Sequence, residues 1–183
     1  MEFISTEIPD VKIVIPKRFG DARGFFSEIY NKRDFARAGI ELEFVQDNHS
    51  RSTEKGVIRG LHYQIEPHAQ AKLVRVVRGS VLDVAVDIRR HSPSFGQHVK
   101  VVLSQENWRQ ALIPPGFAHA FVTLEPNTEV IYKVTDYYAP DHERGLLWSD
   151  PKLGIDWGIE AAEAILSERD RQHPRLADQT DLF

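Results

Sequence analysis

The chain has 183 residues, 42% hydrophobic and 27% charged, with a net charge of −4 and no cysteine. That balance fits a folded chain burying roughly two thirds of its extended surface and excludes wholesale disorder. No apolar run reaches the ~20 residues of a bilayer span, no Lys/Arg block suits nucleic acid or an anionic membrane, and disulfides, thiolate chemistry and Cys-ligated metals are ruled out. The opening MEFISTEIPD has no basic stretch leading into an apolar block, so no secretory signal and a cytoplasmic location are expected.

The dominant period is two. In chain order, strands are expected at 11–15, 25–30, 44–46, 57–64, 72–77, 81–88, 98–103, 111–113, 118–124 and 129–138. The 81–88 run is the clearest: Leu82, Val84, Val86 and Ile88 make one face, while Val81, Asp83, Ala85 and Asp87 make another that carries acid. Turn clusters are expected at 18–21, 92–96, 114–116 and 125–127, and Arg78-Gly-Ser80 reads as a hairpin turn. Helical signals are few: 32–38 stopped by Gly39, an Ala-rich stretch at 160–166, and a short helix from Ser167. Many short strands with frequent turns predict one β-rich domain over 1–183, a sandwich or barrel, with a small C-terminal helical piece.

There is no Gly-rich phosphate loop, so the polar residues set within strands carry the chemical signal. His62, in Val57-Ile-Arg-Gly-Leu-His-Tyr-Gln64, reads either as a core histidine satisfied by a carbonyl or as a general base. Lys72 reads as a strand-end cation reaching for water, or as an oxyanion partner inside a cavity. Tyr132 and Tyr138 are six apart, which places both rings on one face of an unbroken strand. Ser167-Glu-Arg-Asp170 is a capping-box pattern, and Arg23 and Glu28 read by default as solvated charges.

Ile113-Pro-Pro-Gly-Phe-Ala-His119 resembles the second sequence box of the cupin superfamily, whose histidine ligates a metal. The matching first box reads His62-Tyr-Gln where that superfamily needs two histidines and a glutamate, so no metal site is expected.

Read together, six ordered segments look like the dTDP-4-dehydrorhamnose 3,5-epimerase family: Gly20-Asp-Ala-Arg-Gly-Phe-Phe-Ser-Glu28, Phe44 to Ser50, Gly56 to Gln64, Ala71 to Val76, Ile113 to His119 and Ser167 to Asp170. The resemblance implies a cupin-type double-stranded β-helix (jelly roll), a homodimer, no metal or redox cofactor, and a dTDP-4-keto-sugar substrate. It implies that His62 is the base, Asp170 its orienting acid, Lys72 the cation at the ketone oxygen and Tyr132 the proton donor on the far face. Tyr138 matches the ring that stacks on thymine. Arg23, Phe26, Glu28, Gln46, Asn48, Arg59, His119, Glu143 and Arg169 match the remaining substrate-binding positions. Arg169 stands where the family usually has lysine. Arg59 and His62 are three apart, which plain alternation sends to opposite faces; a bulge at Gly60 would reunite them. Three other readings stay open: a non-catalytic sugar-nucleotide-binding jelly roll, a metal-dependent cupin oxygenase or isomerase, and an enzyme inverting only carbon 3 or carbon 5.

Overall fold

The computed structural model describes residues 1–183. Its strands are β1 (Glu2–Ser5), β2 (Lys12–Ile15), β3 (Arg18–Asp21), β4 (Gly24–Ser27), β5 (Gln46–Ser52), β6 (Ile58–Gln64), β7 (Lys72–Arg78), β8 (Ser80–Asp87), β9 (His98–Ser104), β10 (Gln110–Ile113), β11 (Phe117–Thr123), β12 (Thr128–Val134) and β13 (Glu143–Gly145). They form a six-stranded sheet, β1-β2-β10-β7-β12-β5, and a five-stranded sheet, β13-β6-β11-β8-β9, with β3 and β4 as a separate hairpin. The two sheets face one another as a jelly roll.

Alternation explains the layers. In β11, Phe117 and Phe121 turn into the space between the sheets, where Val74, Val81, Ala85, Val101, Ile113 and Val130 meet them. Ala118, Ala120 and Val122 turn outward, yet they too are buried, under Leu146, Leu153, Trp157 and Leu176 of the C-terminal segment. Both faces of β8 and β11 are therefore covered, which is why these two strands read as nearly continuous apolar runs. On the outer face of the six-stranded sheet, α1 (Lys32–Arg37) packs Phe35 against Val14, Leu73 and Leu112. Asn31 caps α1, its side chain accepting the Arg33 amide, and Gly39 follows at φ +77°.

One irregularity sets up everything in the interior. Along the β6–β11 ladder, His119 pairs with His62 but Phe121 pairs with Arg59, so two residues of β6, Gly60 and Leu61, oppose one of β11, Ala120. The expected bulge is there. Gly60 takes φ +113°, and a Cβ on it would strike the His119 carbonyl and Ala120. Ile58, Leu61 and Tyr63 all pack outward, while Arg59 and His62 both face the cavity between the sheets.

Several local expectations are corrected. Residues 18–21 are strand β3, not a turn; the reversal comes at Ala22–Arg23, where the Asp21 carboxylate accepts the Arg23 amide at 2.8 Å. Arg78-Gly79-Ser80 joins no hairpin: β7 belongs to one sheet and β8 to the other, so Gly79, at φ +74°, turns a corner between layers. The Ala-rich stretch makes only a single 3-10 turn, Ala161–Glu163, because Ile165 is pulled alongside β6 by backbone bonds to Gly56 and Ile58, each 2.9 Å. The strand expected at 44–46 runs instead from Gln46 to Ser52, and its inward residues are polar, so hydrophobic periodicity gave no signal there. Strand β12 ends at Val134, so strand parity does not account for where Tyr138 lies.

Candidate active site

The interior opens into two adjoining cavities of about 250 and 520 Å³ that share His62, Lys72 and Tyr132 as walls. The smaller adds Gln46, Asn48, Tyr138 and Glu143; the larger adds Arg59, His119, Arg169 and Asp170. Eleven of the fourteen residues singled out from the sequence thus converge. Arg23, Phe26 and Glu28 do not. They lie on or just beyond the β3–β4 hairpin, where Phe26 is 71% exposed, the Arg23 side chain pairs with Asp21, and Glu28 takes a bond from Asn31 at 2.9 Å.

His62 comes from β6 and Asp170 from α2 (Glu168–Arg171), and the two meet with Nε2 and Oδ1 2.6 Å apart. Half of the capping box forms: the Ser167 hydroxyl accepts the Asp170 amide at 3.1 Å. The Asp170 carboxylate does not serve the cap; it turns inward to His62 and is nearly sealed from solvent. Burial alone would raise its pKa, but the imidazoles of His173 and His62 and the Gly60 amide hold it well below the usual carboxylate range. An ionised Asp170 fixes the proton of a neutral His62 on Nε2 and leaves Nδ1 with the lone pair.

Lys72, at the start of β7, sends its amine inward to the His62 carbonyl at 3.2 Å. Burial pushes its pKa down to about 8, with Asp83 and Glu143 pulling the other way. It is therefore a cation at neutral pH and loses that charge under mildly basic conditions. Tyr132 stands on β12, in the opposite sheet to His62, and burial pushes its phenol up, so the hydroxyl keeps its proton. Sequence reasoning flagged His119 but missed its partner: Asp83, on the acid-bearing face of β8, meets His119 Nε2 at 2.8 Å, both buried. Burial lowers the His119 pKa, keeping the ring neutral. The acid in the β8 alternation was the available signal, but nothing in the chain ties positions 36 residues apart.

At the mouth, Glu143 accepts the Tyr138 hydroxyl and the Arg169 guanidinium, each at 2.7 Å. Burial alone would raise the Glu143 pKa, but these two bonds together with the charges of His62 and Arg169 hold it below its ordinary value. Arg169 thus has a definite carboxylate partner.

An imidazole and a phenol lining one cavity from facing sheets, with an ammonium on the same walls, suit proton removal and return at a carbon next to a carbonyl. That layout defines an acid–base isomerase built on a cupin-type jelly roll. The family described as dTDP-4-dehydrorhamnose 3,5-epimerase matches residues 5–178. A Pseudomonas aeruginosa enzyme of that name is 58% identical over 172 residues, 93% of each chain, and a Shigella flexneri one is 54% identical over 179 residues, 97% of each chain. The crystal structure of a Legionella pneumophila 3,5-epimerase in complex with dTDP-4-keto-L-rhamnose superposes with a TM-score of 0.92 at 48% identity, covering 97% of this chain and 93% of that one. The chain belongs to the dTDP-4-dehydrorhamnose 3,5-epimerase family, and it is an epimerase.

Proposed function

We propose that the two joined cavities bind dTDP-4-dehydro-6-deoxy-D-glucose and invert its carbons 3 and 5, giving dTDP-4-dehydro-L-rhamnose for dTDP-L-rhamnose synthesis. The observation that carries this reading is the opposition of His62 and Tyr132 across the sandwich with Lys72 beside both. Hydrogens on carbons 3 and 5 are acidic because each is α to the carbon 4 ketone. His62 takes a proton on one face of the ring, and Asp170 stabilises the imidazolium that forms. Lys72 stabilises the enolate oxygen, an interaction strongest in the transition state. Tyr132 returns a proton on the opposite face, which completes the inversion. Arg59 and Arg169 suit the pyrophosphate, and Tyr138 suits the thymine ring.

The hairpin supports a homodimer. Arg23, Phe26 and Glu28 are substrate-binding positions that cannot serve their own cavity from where they lie, and Phe19, Phe25 and Phe26 are more than half exposed. We place these three residues at the partner subunit's cavity.

Running the reaction in heavy water tests the chemistry. Deuterium is expected at both carbons 3 and 5 of recovered sugar nucleotide, and Tyr132→Phe is expected to keep washing deuterium into substrate while forming product about 100-fold more slowly. Incorporation at one carbon alone would reduce the enzyme to a mono-epimerase; none at all, with binding intact, would leave a binding module.

A further inference from the structure

Asp170 has a neighbour that the proposed chemistry does not require. His173 follows α2, and its Nε2 lies 3.6 Å from Asp170 Oδ1, the same oxygen that meets His62 Nε2 at 2.6 Å. That His173 nitrogen is sealed from solvent and lies just beyond hydrogen-bond reach of the Asp170 carboxylate, its electrostatic partner. The ring stands edge-on to His62, with centroids 5.5 Å apart and planes at 80°. It is also held in place, because residue 145 is glycine and a Cβ there would strike the His173 ring.

The three donor atoms lie within 4.8 Å of one another. Around a tetrahedral zinc ion with bonds of about 2.0–2.1 Å, neighbouring ligand atoms sit roughly 3.3 Å apart. The two separations to Asp170, 2.6 and 3.6 Å, straddle that value, and the imidazole nitrogens lie within 4.8 Å of each other, so the two rings must draw together for all three to ligate one ion. Two imidazole nitrogens and one carboxylate oxygen suit a borderline transition-metal dication and not Mg²⁺ or Ca²⁺, which prefer oxygen. Asp170 and His62 border the larger cavity, which leaves the cluster a route to solvent and room for a further ligand.

We propose that His62, Asp170 and His173 form a binding site for one borderline transition-metal dication, and that filling it switches the epimerase off. A neutral imidazole has one proton and one lone pair. In the metal-free dyad the proton is on Nε2, facing Asp170, and Nδ1 is the base. A metal on Nε2 takes that lone pair, the ring's single proton must move to Nδ1, and the base is lost. The ligand set shares only His62 with the two cupin boxes, since Asp170 and His173 come from the C-terminal segment. The inhibitory half of the proposal rests on His62 being the base; the binding half does not.

Calorimetric titration of the full-length chain with Zn²⁺, without substrate, is expected to give one ion per chain. His173→Ala and His173→Phe are each expected to weaken that binding at least about tenfold, since even an outer-shell change costs that much. In the epimerase assay, with every variant normalised to its own metal-free rate, Zn²⁺ is expected to inhibit the unaltered enzyme reversibly on chelation, and both variants at least about tenfold less sensitively. Absence of stoichiometric binding would overturn the site. So would equal Zn²⁺ sensitivity in the chain and both variants, or equal inhibition by Mg²⁺. Stoichiometric binding with undiminished turnover would instead overturn the assignment of His62 as base, leaving the site itself standing.

Discussion

Asp170 and Arg23 are both expected to serve the substrate, yet 6% of one side chain is exposed and 89% of the other. Asp170 belongs to an interior where His62, Lys72, His119 and Asp83 are fixed by buried partners before any ligand arrives. Arg23 sits at a hairpin tip held by an exposed ion pair with Asp21, which is worth little in water. Charges inside the sandwich act at low dielectric and need no reorganisation, so they bear on the rate of the chemical step. On the proposed reading the hairpin must still be ordered against the partner's cavity, so its residues would bear on affinity and on assembly.

The contrast can be broken most sharply at the dyad. His62→Asn and Asp170→Asn are expected to lower kcat by about 10²–10⁴-fold while leaving dTDP binding and the circular dichroism spectrum in place. An intact rate in either variant would remove the interior from the chemistry. Lys72→Met comes next, with kcat down by about 10²–10³-fold.

Lys72 also sets a pH dependence. Its cationic form is lost as pH rises through about 8, so the unaltered enzyme should slow above that point, a limb missing in Lys72→Met. The sign for stability is opposite. The folded pKa lies below the unfolded value of 10.5, so the unfolded chain binds more protons between about 8 and 10.5 and the stability cost of burying the charge fades as pH rises through that window. Removing the charge altogether should therefore raise the melting temperature at pH 7, readable by calorimetry, even as activity falls.

The smallest effect belongs to the hairpin. Arg23→Ala is expected to raise KM about tenfold with kcat nearly unchanged, the scale of one lost charge-assisted contact. A kcat loss matching that of Lys72→Met would erase the distinction between the two regions.

Much of this was legible in the chain, for identifiable reasons. The alternation of β8 and the apolar runs of β6 and β11 carry the sandwich, and the ordered segments carry the family. Contacts remote in sequence are not encoded by local pattern. The His62–Asp170 pairing spans 108 residues and was legible only through the family resemblance, while His119–Asp83 spans 36 and stayed hidden. Strand β5 was misplaced because its inward positions, Asn48 and Ser50, line the cavity and are polar. The 160–166 stretch has helix-forming alanines, but Ile165 gains more from bonding β6 than from continuing a helix. His173 could have been noticed three residues beyond Asp170, a spacing that brings side chains together around a helical turn.

The extra residue in β6 has a consequence for substrate size. With Arg59 and His62 on one side of one strand, the span from guanidinium to imidazole is set by a short stretch of extended backbone and cannot stretch with the ligand. The strand behaves as a gauge. With Arg59 and His62 in the roles proposed for them, it would admit molecules whose anionic group and acidic carbon are separated by its own length, whatever sugar lies between, and dropping a single residue there would reset the gauge and turn one of its two jaws away.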